Sequence, residues 1–156
     1  MIIRDYQDSD AAALRRCVVV LQEFERAIDP RLLAGEVMAD QYCERIRARC
    51  REAAGQIYVA DHDSQVIGFV SVLASESFTE LDDPPGHYAL IMDLVVLEAH
   101  RGRGIGRQLL DRAERYAKQA GARELRIGVL TNNDAARRLY LDQGFQPHVE
   151  VFTKRW

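Results

Sequence analysis

Apolar residues along this chain recur at two spacings, three to four in some stretches and two or fewer in others, and the switches between them predict its elements. Ile2 and Ile3 make a short strand-like start. Asp8, Ser9 and Asp10 then offer caps to a helix that carries Leu14, Val18, Leu21, Phe24 and Ile28 on one face. Asp29-Pro30 closes it, because the residue before a proline resists helical angles. A second helical stretch, about residues 32–53, places Val37, Cys43, Ile46 and Cys50 together and ends near Gly55. Residues 57–60 and 66–73, rich in β-branched side chains, flank the polar Asp61-His62-Asp63-Ser64 and predict an antiparallel hairpin.

The acidic segment 76–86 contains Pro84-Pro85 and reads as a loop. Residues 88–97 are almost continuously apolar, broken by Asp93, which is the pattern of a central strand covered on both faces. Ile105, Leu109, Ala113, Tyr116 and Ala117 form a helical stripe ending at Gly121, and residues 125–130 read as another buried strand. Residues 133–143 repeat the helical spacing with Ala136, Leu139 and Tyr140 before Gly144. Val149, Val151 and Thr153 then alternate as a last strand, either a plain edge or one shared with a second copy. No repeat or linker interrupts this order. It predicts an α/β fold: one domain over residues 1–156, a mixed sheet flanked by helices, with a parallel right-handed crossover between residues 88 and 130. Ligands of such folds gather at the carboxyl ends of the strands.

At 156 residues and 47% apolar, the chain is long enough to bury a core without disulfides. Its net charge of −3 provides no global field for nucleic acid. Cys17, Cys43 and Cys50 are odd in number and lack a Cys-x-x-Cys pair, so they read as reduced core thiols, with no metal site expected. No apolar run approaches a membrane span, and the first residues lack the pattern of a leader, so a soluble cytoplasmic protein is expected.

The informative stretch is Arg101-Gly102-Arg103-Gly104-Ile105-Gly106, placed where a buried strand stops and an amphipathic helix starts. Glycine costs about 1 kcal/mol relative to alanine in a helical turn, so three of them here imply backbone that a guest approaches closely. Free first-turn amides and the positive end of the helix dipole suit an anion. Between residues 98 and 107 three arginines stand against one glutamate, a local charge of +2 in an acidic chain. The alternative is a tight turn with solvated arginines. A dinucleotide fingerprint fails by one residue, since Arg107 stands where its last glycine belongs, although Glu124 lies where a ribose-binding acid would stand. A Walker loop fails for want of Gly-Lys-Ser/Thr.

Arg101-x-x-Gly104-x-Gly106, preceded by Leu94-Val95-Val96, resembles the acetyl-CoA motif of the GNAT superfamily of N-acetyltransferases. Asn133-x-x-Ala136-x-x-Leu139-Tyr140-x-x-x-Gly144-Phe145 resembles its carboxyl-terminal signature. The likeness is close over residues 88–145 and extends to the amino-terminal half only in the order of elements. It implies that acetyl-CoA is the cosubstrate. Amides from Arg101 through Gly102, Arg103, Gly104 and Ile105 to Gly106 would hold the pyrophosphate, while Leu94, Val95 and Val96 accompany the pantetheine arm between splayed central strands. Asn133 would contact the cofactor, cap the last helix, or do both.

The reaction so implied moves an acetyl group to a neutral primary amine of a small molecule or peptide, by direct attack in a ternary complex. An amide near Val95 or Val96 would polarise the thioester carbonyl. Tyr140 matches the tyrosine that assists the departing thiolate, against a reading as simple core. Asp93 is a candidate base or ammonium anchor, against a structural salt bridge with an arginine. The family's glutamate has no counterpart, because Leu90, Ile91 and Met92 are apolar. His87 and His100 read as surface residues or proton relays, and Glu76, Glu80, Asp82 and Asp83 as a solvated loop or a lure for a cationic acceptor. A homodimer fits the resemblance. The rival functions are a silent CoA- or nucleotide-binding module and a dinucleotide oxidoreductase.

Overall fold

The computed structural model describes residues 1–156. Its strands are β1 (Ile2–Asp5), β2 (Gln56–His62), β3 (Gln65–Ser77), β4 (His87–Val96) and β5 (Leu125–Ile127). Its helices are α1 (Ala11–Ile28), α2 (Gly35–Glu52), α3 (Ile105–Gln119) and α4 (Asp134–Asp142). The five strands form one sheet in sequence order, antiparallel except for the parallel β4–β5 pair. Asp63 and Ser64, with φ of +51° and +63°, turn the β2–β3 hairpin, the geometry that suits a two-residue connection. No helix is long and apolar enough to cross a membrane.

Two cores lie on opposite faces of the sheet. On one, Ile105, Leu109, Leu110, Ala113 and Ala117 of α3 meet Tyr58, Val70, Val72 and Ile91. On the other, Leu14, Cys17 and Val18 of α1 with Ala39, Cys43 and Ile46 of α2 meet Val59, Phe69 and Val95. β4 supplies both because its register against β3 slips: Ser71 stands opposite Asp93 but Val72 opposite Ile91, which leaves Met92 as an extra residue. Such a bulge re-aims the side chains that follow it. Ala89 and Ile91 therefore point to α3, whereas Asp93 and Val95 point to α1 and α2. Gly68 sits opposite Val96, where a Cβ would fall 2.4 Å from the Val95 carbonyl oxygen, so only glycine lets β3 and β4 approach this closely.

Three expectations need correction. The second helix starts at Gly35 rather than near residue 32, because the Glu23 carboxylate accepts the Gly35 amide at 2.6 Å and fixes the first turn there. The last strand is absent: residues 143–156 form no ladder, and Val149, Val151 and Phe152 are 74%, 84% and 90% exposed. Alternation becomes a strand only beside a partner edge, and β5, shortened from the expected 125–130 to three residues, offers little.

Leu109 is fully buried against the sheet. Leu109→Ala is expected to cost about 2–5 kcal/mol, read as a lower urea midpoint at unchanged slope. A loss under about 1 kcal/mol would show that α3 does not carry this core.

Candidate active site

At the mouth of α3 the chain offers six consecutive amides, from Gly102 to Arg107, that donate to no carbonyl or side chain of the protein. Helix geometry accounts for the last three, which precede the first intrahelical acceptor; Gln108 is the first to find one, on Gly104 at 3.1 Å. The first three are freed by left-handed turns at Gly102 and Gly104, with φ of +73° and +75°. A Cβ would meet nothing within 4 Å at either, so the backbone conformation alone requires glycine there. Gly106 does a different job: a Cβ would lie 3.2 Å from Leu139, so its absence lets α4 close on α3.

The cradle does not begin at Arg101, as the resemblance implies, because that amide donates to the Glu98 carbonyl at 3.1 Å and the free run starts one residue later. Arg101 acts through its side chain instead. Nε donates to the Val96 carbonyl at 2.8 Å, and the guanidinium lies 5.4 Å from the centre of the Phe24 ring on α1. Exposed amides, a helix dipole and the Arg103 and Arg107 side chains suit a diphosphate.

Below the cradle, β4 loses its neighbour. The β4–β5 pairing stops at Ile91 opposite Ile127, so from Met92 to Val96 this edge of β4 has no strand beside it. This is the splay expected of the central strands. Leu94 and Val96 lean on the α3 core, whereas Val95 is turned to the other face, so the free edge here presents main chain rather than the Val95 side chain.

Asp93 is 4% exposed and has no arginine partner. Tyr42 of α2 donates to its Oδ1 at 2.8 Å and Ser71 of β3 to its Oδ2 at 2.7 Å. Burial pushes its carboxyl above the usual carboxylate range, against the pull of these two hydroxyls. Tyr140 rests against Phe145, ring centroids 5.9 Å apart, with its hydroxyl bonded to nothing in the chain; burial, and then the charge of Glu25, push it up to about 12. Sequence reasoning missed Tyr42, Ser71 and Glu25. For Glu25 a signal existed: it stands seven residues after Val18 and four after Leu21, on the inner face of α1, where an apolar side chain belongs.

Other candidates lie apart from this centre or do structural work. Asn133 caps α4, its Oδ1 accepting the Ala136 amide at 3.1 Å. Glu124 pairs with Arg126 at 2.5 Å beside the start of β5, at the opposite end of the sheet from the glycine bend, which removes it as a ribose ligand. His87 opens β4, about 30 Å of strand from Val96, and His100 lies 6.1 Å, ring to ring, from His62. Glu76 is bound to Arg49. Burial raises the thiols of Cys17 and Cys50 to about 11, so they are poor nucleophiles. A hollow of about 410 Å³ between α1 and α2 is lined by ions such as Arg15 and Asp40 that already pair with each other.

The family model described as Acetyltransferase (GNAT) family matches residues 21–145. The uncharacterized N-acetyltransferase YhfO of Bacillus subtilis is 29% identical over 94% of this chain and 90% of its own. The thialysine N-epsilon-acetyltransferase of Bos taurus is 27% identical over 97% and 87%. Among solved structures, the aminoglycoside N-acetyltransferase AAC(6')-Iy in complex with CoA superposes with a TM-score of 0.70 at 18% identity, covering 99% of this chain and 98% of that one.

A raised carboxyl has a defined thermodynamic sign. Asp93 titrates higher in the folded than in the unfolded chain, where about 3.8 applies. Its contribution to stability is therefore full below that value and is lost as the pH rises through the folded one. The stability of the wild type relative to Asp93→Asn is expected to fall from about pH 4 towards neutrality in urea titrations. A difference that stays flat with pH would show that Asp93 is not held in a desolvated site.

Proposed function

The chain belongs to the GNAT family of acetyltransferases and is an acetyl-CoA-dependent N-acetyltransferase; from that premise we propose how its residues divide the work. We read residues 1–156 as one catalytic unit acting on the primary amine of a small molecule or peptide. Residues 102–107 donate their amides to the diphosphate of the cosubstrate. Arg103 adds charge there, while Arg101 fixes the bend to the end of β4. The uncovered main chain at Leu94, Val95 and Val96 serves the pantetheine amides, which take the place of a missing strand. The observation that carries this reading is the coincidence of six free amides with the free β4 edge next to them. The side chain of Ile105 seats the start of α3 in the core, and Asn133 holds α4, and with it Tyr140, against the cleft.

The cosubstrate supplies an activated acetyl group as a thioester; the protein's part is to place the amine, strip its proton and stabilise the departing sulfur. An alkylamine of ordinary pKa, about 10.4, is neutral in only a few parts in ten thousand at pH 7, so a proton acceptor has a large effect on rate. Tyr140 serves the other side. With its hydroxyl near 12, complete transfer to a thiolate of pKa about 8.5 would be uphill by roughly 5 kcal/mol. Tyr140 therefore acts as a hydrogen-bond donor to the developing thiolate. The Asp93 carboxylate, enclosed and doubly bonded, acts through Tyr42, whose ring it aligns. This makes Asp93 a positioning residue in place of the base or ammonium anchor expected from sequence.

The amine class is supported by the Bos taurus relative, whose name gives a side-chain amine as its acceptor. A cytoplasmic setting accords with three unpaired thiols. The exposed Val149, Val151 and Phe152 accord with a second copy of the chain, checked by sedimentation.

The deciding experiment is CoA release with a panel of amines. A chain that binds CoA yet releases none with any amine would be the silent module instead. Tyr140→Phe is expected to lower kcat about 10- to 100-fold, the value of a hydrogen bond to a charged group, with CoA affinity within about twofold. Gly104→Ala is expected to lose about 1–2 kcal/mol of stability and also CoA affinity in calorimetry. Gly121→Ala imposes the same left-handed strain, at φ +81°, beyond the other end of α3, and should lose stability alone. Equal CoA affinity in both variants would remove the bend from cofactor binding.

A further inference from the structure

Resting on the reading of this cleft as an acetyl-transfer site, we propose that Glu25 is its acceptor-binding carboxylate: it holds the cationic nitrogen of an alkylamine beside Tyr42 and receives the proton that the nitrogen sheds before attack. Glu25 projects from the inner face of α1, in line with Val18, which is 1% exposed. Its neighbours Glu23 and Arg26 pair with each other at 2.9 Å, and Glu23 also caps α2, but the half-buried Glu25 side chain has no hydrogen bond or ion pair in the chain. An unpartnered carboxylate on a packed face costs stability, so its retention points to a ligand that completes it.

The surroundings fit one chemical class. Glu25 comes within electrostatic reach of Asp93 on β4, Tyr42 on α2 and Tyr140 on α4, and its carboxyl is held above the ordinary range by burial and then by the Asp93 charge. The Tyr42 hydroxyl donates its hydrogen bond to Asp93, so the lone pairs of its oxygen are free to accept from an ammonium N–H. The basic groups nearby do not answer these charges. Arg101 is engaged with Val96 and Phe24, and Arg45 acts on Tyr42 only at a distance. Two carboxylates with no bound cation favour a primary alkylammonium whose own acidic groups, if any, lie several bonds away, and they repel an anion beside the amine.

The step balances. The ammonium N–H bond breaks and its proton goes to Glu25. The freed lone pair forms the C–N bond, and the C–S pair leaves with sulfur under the Tyr140 hydrogen bond. The second proton passes from nitrogen to the thiolate, giving amide and thiol, and Glu25 returns its proton to solvent.

The test uses the full chain and its Glu25→Gln and Glu25→Asp variants, followed by CoA release at neutral pH. Thialysine and n-butylamine serve as cationic acceptors, and 4-methoxyaniline as one that is uncharged there. For the Gln variant kcat/KM is expected to fall about 10- to 100-fold with the cations, through a higher acceptor KM where the ion pair is lost and a lower kcat where the proton acceptor is lost. It should stay within about threefold for the arylamine, with the KM for acetyl-CoA unchanged. The acidic limb of the wild-type pH profile should disappear, Glu25→Asp should recover part of the rate, and the Tm of the Gln variant should equal or exceed that of the wild type. Cation kinetics unchanged by Glu25→Gln, or an equal loss for all three amines, overturns the assignment while the transferase stands. A wild-type chain that releases no CoA with any amine removes the parent reading and this one with it.

Discussion

A main-chain amide without an acceptor costs about 1–3 kcal/mol once it is taken out of water, and the layout of this protein follows from where such groups are left. The inner strands β2 and β3 are paired on both sides along the sheet. The carboxyl end of β4 is not: β5 pairs only as far as Ile127, and the following bend and first turn of α3 free six amides in a row. These groups stay at the surface, where water satisfies them until a ligand with matching oxygens does so. The glycines at 102 and 104 hold that arrangement open by a conformation that side chains resist, and Gly106 brings α4 near enough to place Tyr140 beside it.

The second constraint is electrostatic and lies across the free edge. A bulge at Met92 turns Asp93 away from the α3 core and towards the helices of the amino-terminal half, where Ser71 and Tyr42 hold it. The carboxylate is retained at a cost in desolvation, which two hydroxyls only partly offset. Glu25 adds a second negative group within reach. The end of the cleft at the glycine bend is thus basic and built from main chain, whereas the face that carries Asp93 and Glu25 is acidic and built from side chains. That division matches an anionic cosubstrate meeting a cationic amine, in a protein whose overall charge of −3 indicates neither.

Much of the fold was legible because it is written in local periodicity: the hairpin, the stripe of α3, the buried β4 and the order of elements all follow from side-chain spacing. The last strand was misread for a non-local reason, since alternation at Val149 and Val151 says nothing of whether an edge exists to receive it. The glycine bend could be read because its conformational demand is confined to a few consecutive residues. Tyr42 and Ser71 could not, because 51 and 22 residues separate them from Asp93, and neither stands out in its own helix or strand.

The chain alone determined the α/β order and the glycine bend, since each depends on contacts or conformations within a short stretch, and its resemblance to a known family implied the cosubstrate. It also determined that Asp93 interrupts an apolar strand. Only the tertiary structure decided what that interruption means. One unpaired residue in β4 selects the face of the sheet that receives the carboxylate, and the packing of α1 and α2 on that face selects the groups it meets. Side chains from distant segments share an electrostatic field only after the sheet has twisted and the helices have closed on it, so the grouping of Asp93, Tyr42, Ser71 and Glu25 exists only in the assembled fold.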